Sequence, residues 1–206
     1  MIARFPRLAA LVLAALVVAG CSFSREAPVK ATYLLEPAMP PAVAKAQPVS
    51  VRVAGVNVAA PFRGRSFVYR TGDLKYETDF YVEFLVPPSA MFGEQTARAL
   101  AAAKVFSRVV PPASGADADY TLEGFVSELY ADANGGALTT AELVVTYYLT
   151  SVTAGGSVPS WSKEYRRHVD LTTRTPAAYA AALNQSFGDV LAELTRDLAA
   201  LPTLKP

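Results

Sequence analysis

Cysteine occurs once in the 206 residues, at Cys21, and histidine once, at His168. One cysteine cannot close an intrachain disulfide or build a cysteine-rich metal site. One histidine leaves zinc chemistry short of ligands, since such sites draw on several His or Cys side chains. An excess of charge is missing too: 19 Lys and Arg stand against 18 Asp and Glu. That balance gives no basic field to hold nucleic acid. No serine sits in a G-x-S-x-G turn, and no glycine-rich loop ends in Gly-Lys-Ser/Thr, which removes two common catalytic and phosphate-binding signatures. The apolar run at residues 8–20 has 13 residues, about 20 Å of helix. A comfortable bilayer span needs roughly 20 residues.

That short run is informative for what surrounds it. Arg4 and Arg7 precede it, and Val18-Ala19-Gly20 leads directly into Cys21. A basic start, a short apolar core and a small-residue end describe an export signal. The junction with cysteine resembles the bacterial lipobox, in which the thiol takes up diacylglycerol, the chain is cut before the cysteine, and the new amine is acylated. Small residues let the chain enter the peptidase. Several acyl chains bind a membrane far more firmly than one, at about 0.8 kcal/mol per buried CH₂. The expectation is therefore a signal peptide over residues 1–20, a lipidated tether over 21–30 that begins at Cys21, and one domain over 31–206. Ser22, rather than aspartate, after the cysteine is compatible with export to the periplasmic face of the outer membrane.

Within the domain the patterning predicts an α/β fold: a mainly antiparallel or mixed sheet with two principal helices packed against it. Residues 31–35 and 48–53 read as strands, and residues 55–61 as a turn-rich passage. Residues 66–70 and 74–77 form a hairpin around Thr71-Gly72-Asp73. The state of residues 80–86 is open. Ser89 is a candidate cap for a helix that ends near Ala103, and residues 105–110 return to strand. Residues 120–130, 138–151 and 160–169 form an antiparallel meander, with turns at 134–136 and 154–157. The last helix is the clearest. Thr175 caps it, Pro176 opens it, and Tyr179, Leu183, Phe187, Leu191, Leu194 and Leu198 make one apolar stripe. The Ala/Pro-rich residues 36–47 are a surface connection.

Chemistry is sparse. Asp73, Glu77, Asp79 and Glu83 cluster, but Arg65, Arg70 and Lys75 lie close in sequence, so a salt-bridged surface accounts for them. His168 lacks a nucleophile beside it and reads as a polar strand end. Arg166 and Arg167 fall on opposite faces of their strand, so one of them is free to meet a partner or anionic headgroups. The segment 67–84 mixes aromatic and charged side chains in the way interfaces do. Arg70, Tyr76 and Asp79 are its candidate partner-binding residues.

The order of the lipobox, Tyr33-Leu34-Leu35, Val51-Arg52-Val53, Phe67-Val68-Tyr69-Arg70, Lys75-Tyr76-Glu77-Thr78-Asp79-Phe80-Tyr81 and the proline break near Pro87 resembles the ABC-type transport auxiliary lipoprotein family. Its members are also described as paraquat-inducible-type periplasmic lipoproteins. The resemblance covers about residues 32–198. Phe84 stands where members often carry tryptophan. The resemblance implies a non-enzymatic accessory of an intermembrane phospholipid transport system, with no cofactor of its own. It implies docking, near the outer membrane, to a periplasmic protein of the mammalian-cell-entry type. Through that protein the chain would be linked to an inner-membrane ABC permease and ATPase. A homo-oligomer is one assembly it allows. Two other classes fit the residues: an outer-membrane assembly or envelope-structural lipoprotein, and an exported hydrolase or ligand-binding lipoprotein.

Overall fold

The computed structural model describes residues 29–153 and 156–205. Eight strands form one sheet: β1 (Ala31–Tyr33), β2 (Gln47–Val58), β3 (Ser66–Gly72), β4 (Lys75–Phe84), β5 (Phe106–Val110), β6 (Tyr120–Asp132), β7 (Thr140–Thr153) and β8 (Gly156–Asp170). Two helices, α1 (Pro88–Ala103) and α2 (Pro176–Ala200), complete the domain. The sheet is mixed, as the patterning predicts. β3–β4, β6–β7 and β7–β8 are antiparallel, whereas β1–β4, β2–β5, β2–β6 and β3–β6 are parallel.

β6 organises the sheet. One of its edges carries β7 along its whole length. The other is shared: its first half pairs with β2, and Ala131 and Asp132 pair with Tyr69 and Arg70 of β3. Between them the chain leaves the sheet through a 3-10 turn at Ala60–Phe62. β6 also needs a glycine at one point. A Cβ at Gly124 would come within 2.9 Å of Val56 Cγ2 and 3.0 Å of Tyr147 Cε1, so the bare backbone is what lets these two side chains close over it.

Both helices lie on one face. α1 covers β2 and β5, α2 covers β7 and β8, and the two meet where the rings of Phe92 and Phe187 stand 4.5 Å apart. The predicted stripe of α2 is buried throughout: Leu183, Phe187, Leu191, Leu194 and Leu198 have no accessible surface. Thr175 caps the helix by accepting a hydrogen bond from the Ala178 N–H. Polar contacts fix its far side. Lys163 Nζ reaches Glu193 at 2.9 Å and Asp197 at 2.7 Å, Tyr165 donates to Asp197 at 2.8 Å, and Arg167 reaches Glu193 at 2.6 Å. α1 is pinned from within, where the Thr96 and Tyr147 hydroxyls share a buried hydrogen bond of 2.8 Å.

The structure corrects several local expectations. The passage at 55–61 is not a turn until residue 58, because β2 runs on through Val58. A register shift between Val53 and Gly55 absorbs the irregularity, and Gly55 takes φ +144°, a conformation open to glycine. Helix α1 starts at Pro88 with Pro87 as its cap, and Ser89 lies inside the first turn. Pro87 O instead accepts from the N–H groups of Ala90 and Met91. Residues 80–84 are strand. The Ala/Pro-rich residues 36–46 are a surface connection, as expected, and also a strap tied down at several points. Leu35, Pro37 and Pro40 are buried. Glu36 N donates to Asn184 Oδ1 at 2.7 Å, and Val43 N donates to Ala103 O at 2.8 Å. Residues 154–155, within the expected turn, and Cys21 lie outside the described residues.

Candidate functional site

The face of the sheet away from the helices is open, and its upper part is concave. β3 and β4 pair Arg70 with Tyr76. β3 then meets the end of β6, setting Arg70 against Asp132. The antiparallel registers of β7 and β8 bring Glu142 opposite His168 and Val144 opposite Arg166. Side chains from five strands thus line one depression of about 520 Å³: Arg70, Tyr76, Glu128, Tyr130, Asp132, Glu142, Arg166 and His168, with Phe62 at its floor.

Its chemistry is that of paired charges. The guanidinium of Arg70 bonds Asp132 Oδ2 and stacks over the Tyr130 ring, 5.2 Å from its centre. Arg166 reaches Glu128 at 3.2 Å and Glu164 at 3.6 Å. His168 Nδ1 faces Glu142 Oε1, which also accepts from the Thr140 hydroxyl. Phe62, Tyr76 and Tyr130 pack as an aromatic group, with centroids 5.5 to 6.0 Å apart. The hydrogen bond to Asp132 holds Arg70 protonated even above its ordinary range. Burial opposes ionisation of Asp132, yet the Asn134 N–H and Arg70 together hold its carboxyl below the usual carboxylate value. Burial pushes Tyr130 up to about 12, so its hydroxyl stays protonated. Arg70 is 34% exposed and Tyr76 44%. The depression is therefore a set of oriented, half-covered charges around aromatic surface. Ser127 also lines it, and its hydroxyl makes no hydrogen bond to His168. Among the described residues no cluster of His, Cys, Asp and Glu is arranged to hold a metal.

Two of the sequence candidates, Arg70 and Tyr76, are brought together here, and Arg166 joins them. Asp79 is not part of the depression. Between the pairs Val68–Thr78 and Ser66–Glu83, β3 advances from 66 to 68 while β4 advances from 78 to 83. The surplus residues bulge out, and Asp79 ties the bulge. Its Oδ1 accepts from the Tyr81 and Val82 N–H groups at 2.8 and 3.0 Å, and its Oδ2 accepts from the Tyr69 hydroxyl at 2.8 Å. Two other acids of that cluster sit in ion pairs, Glu77 with Lys75 and Glu83 with Arg65, and Asp73 is exposed in the hairpin turn. Arg167 turns the other way, onto α2. Glu128, Asp132 and Glu142 were not singled out from the sequence. The β3–β6 pairing brings Asp132 to Arg70, and the β6–β7–β8 register brings Glu128 to Arg166 and Glu142 to His168.

A second depression, of about 700 Å³, is apolar. It lies between the end of β2, the first three turns of α1 and Pro111-Pro112, and small residues shape it: Gly55, Ala90, Gly93 and Ala97.

The described residues thus form a mixed sheet with two helices on one face and paired charges on the other. The sequence model of the ABC-type transport auxiliary lipoprotein component family matches residues 33–199, and the chain belongs to that family. The family is a non-catalytic auxiliary component of ABC-type transport. The fold is similar to the crystal structure of a Xanthomonas campestris protein, at 20% identity and TM-score 0.68, over 80% of this chain and 92% of that one. It is also similar to an uncharacterised protein of known crystal structure, at 15% identity and TM-score 0.62, over 82% and 99%. At such identities the likeness shows the fold alone. No curated protein matches the chain.

Proposed function

We propose that the chain is a periplasmic accessory subunit of an intermembrane phospholipid transport system, anchored to the outer membrane through lipidated Cys21. In this reading it docks a channel protein of the mammalian-cell-entry type, and through it the inner-membrane permease and ATPase. The family supplies the transport role. The observation that carries the docking surface is the convergence of Arg70, Tyr76 and Arg166 on one open sheet face. Each side chain is half-covered and oriented by a partner, Asp132, Tyr130 or Glu128. An arginine and an aromatic already held in place lose little freedom on binding, which suits the centre of an interface. The surrounding charges would select the partner and set the encounter rate.

The test is a detergent pull-down of the lipidated full chain with its transport partners. Tyr76→Ala and Arg70→Gln are expected to weaken capture by about 2 kcal/mol or more, with folding checked by circular dichroism. Arg70→Glu should abolish capture. Undiminished capture by folded Tyr76→Ala and Arg70→Gln proteins would place the docking surface elsewhere.

A further inference from the structure

Among the described residues the three most exposed large apolar side chains, Leu74, Val29 and Phe80, all belong to the β1–β4 edge of the sheet and the hairpin that β4 forms with β3. Leu74, at the tip of the β3–β4 hairpin, is 97% exposed, and Phe80, on the β4 bulge, is 73% exposed. Tyr81 is exposed beside Phe80, their rings at an edge-on 5.0 Å, and Val29 is exposed at the entry to β1. Leucine and phenylalanine this exposed add little to the core, and large apolar side chains along one edge point to a surface that is covered elsewhere.

Chain direction says what covers it. β1 runs parallel to β4, with Ala31 opposite Val82. Moving back from Ala31 to Val29 therefore leads past Phe80 toward the hairpin tip. Lys30 confirms this, its ammonium standing 5.3 Å over the Phe80 ring. From Val29 the chain continues to Cys21, eight residues earlier. Even fully extended, eight residues span only about 28 Å. A bilayer holding the acyl chains of Cys21 is thus kept within that reach of Val29, which lies level with Phe80 on the neighbouring strand.

We propose that the β3–β4 hairpin, from Leu74 at its tip to the Phe80–Tyr81 bulge, rests in the phospholipid headgroup layer of the membrane that carries the anchor. This rests on the lipidation of Cys21. The composition suits that layer. Leucine and phenylalanine enter the boundary of the acyl chains, tyrosine presents an apolar ring and a polar tip, and Lys30 and Lys75 face phosphate. The bulge tied by Asp79 is the device that turns Phe80 and Tyr81 away from the sheet. With the hairpin so placed, Arg70 and Tyr76 stand just behind its tip, and the docking face begins at the membrane surface.

The native lipidated full chain is reconstituted in vesicles of phosphatidylethanolamine and phosphatidylglycerol. Single variants Leu74→Cys, Phe80→Cys and, on the open sheet face, Tyr148→Cys are labelled with a thiol-reactive environment-sensitive fluorophore. A lipidated Cys21 has no free thiol, so each variant should take one label and the unaltered chain none. Nitroxide-bearing phospholipids should quench the label at positions 74 and 80 and leave the label at 148 unaffected. One label per variant, with positions 74 and 80 as unquenched as 148, overturns the hairpin placement and leaves the anchor standing. Labelling of Cys21 in the unaltered chain overturns the anchor, and the placement with it.

Discussion

Asp79 shows how differently one acidic residue reads in sequence and in structure. Among alternating aromatics and charges it is a natural interface residue. In the fold it accepts three hydrogen bonds that hold the β4 bulge to Tyr69. Asp79→Ala leaves two backbone N–H groups and a half-buried hydroxyl without their acceptor. The expected cost is about 1–3 kcal/mol, measured by denaturant unfolding, together with looser placement of Phe80 and Tyr81. If Asp79 is instead a contact residue only, the variant keeps full stability and loses partner binding. Arg70 and Tyr76 differ from it because their outer surfaces remain free after their internal contacts are made. The sequence offered all three on equal terms. What separates them is the surplus of β4 residues between Thr78 and Glu83, which turns Asp79 inward and depends on long-range pairing that no local pattern records.

At the scale of elements, α2 was the most legible part of the chain. Its stripe, its Thr175 cap and Pro176 are local features, and the helix appears with those bounds. Leu191, without accessible surface, is expected to cost 2–5 kcal/mol on change to alanine, as large-to-small core substitutions do. Unfolding within about 0.5 kcal/mol of the unaltered protein, well below that range, would mean that this face is not packed on the sheet. α2 is also held by charge. Lys163, then Arg167, holds the Glu193 carboxyl below its ordinary value of 4.5. A carboxyl whose folded value is depressed binds protons less readily folded than unfolded. Its contribution is therefore present above pH 4.5 and is lost as pH falls through the lower folded value. Glu193→Gln should accordingly flatten the loss of stability on acidification in that window, read from unfolding midpoints at successive pH. An unchanged acid limb would deny Glu193 that role. β2 was the least legible strand. Gly55, Asn57 and Pro61 carry turn chemistry, yet Val56 must reach the core beside Gly124, and the strand continues to place it there.

For the molecule as a whole, the sheet divides the labour. One face carries the two helices and the strap, and with them the core. The other gathers Arg70, Tyr76, Arg166 and their counter-charges from strands as far apart in sequence as β3 and β8. The family membership gives this face its setting in ABC-type transport, and the anchor and exposed hairpin give it a proposed position beside the membrane. The existence of the paired strands was largely readable from β-branched and aromatic runs. The depression was not, because it is made by register: Ala131 opposite Tyr69, and Glu142 opposite His168.

The most direct measurement is photo-crosslinking in the intact envelope from a probe residue placed at position 76, with the crosslinked partner identified by mass spectrometry. The account predicts a product with the periplasmic mammalian-cell-entry-type protein, lost when Arg70→Glu is introduced into the same chain. A product with an outer-membrane β-barrel alone, insensitive to that change, would contradict it.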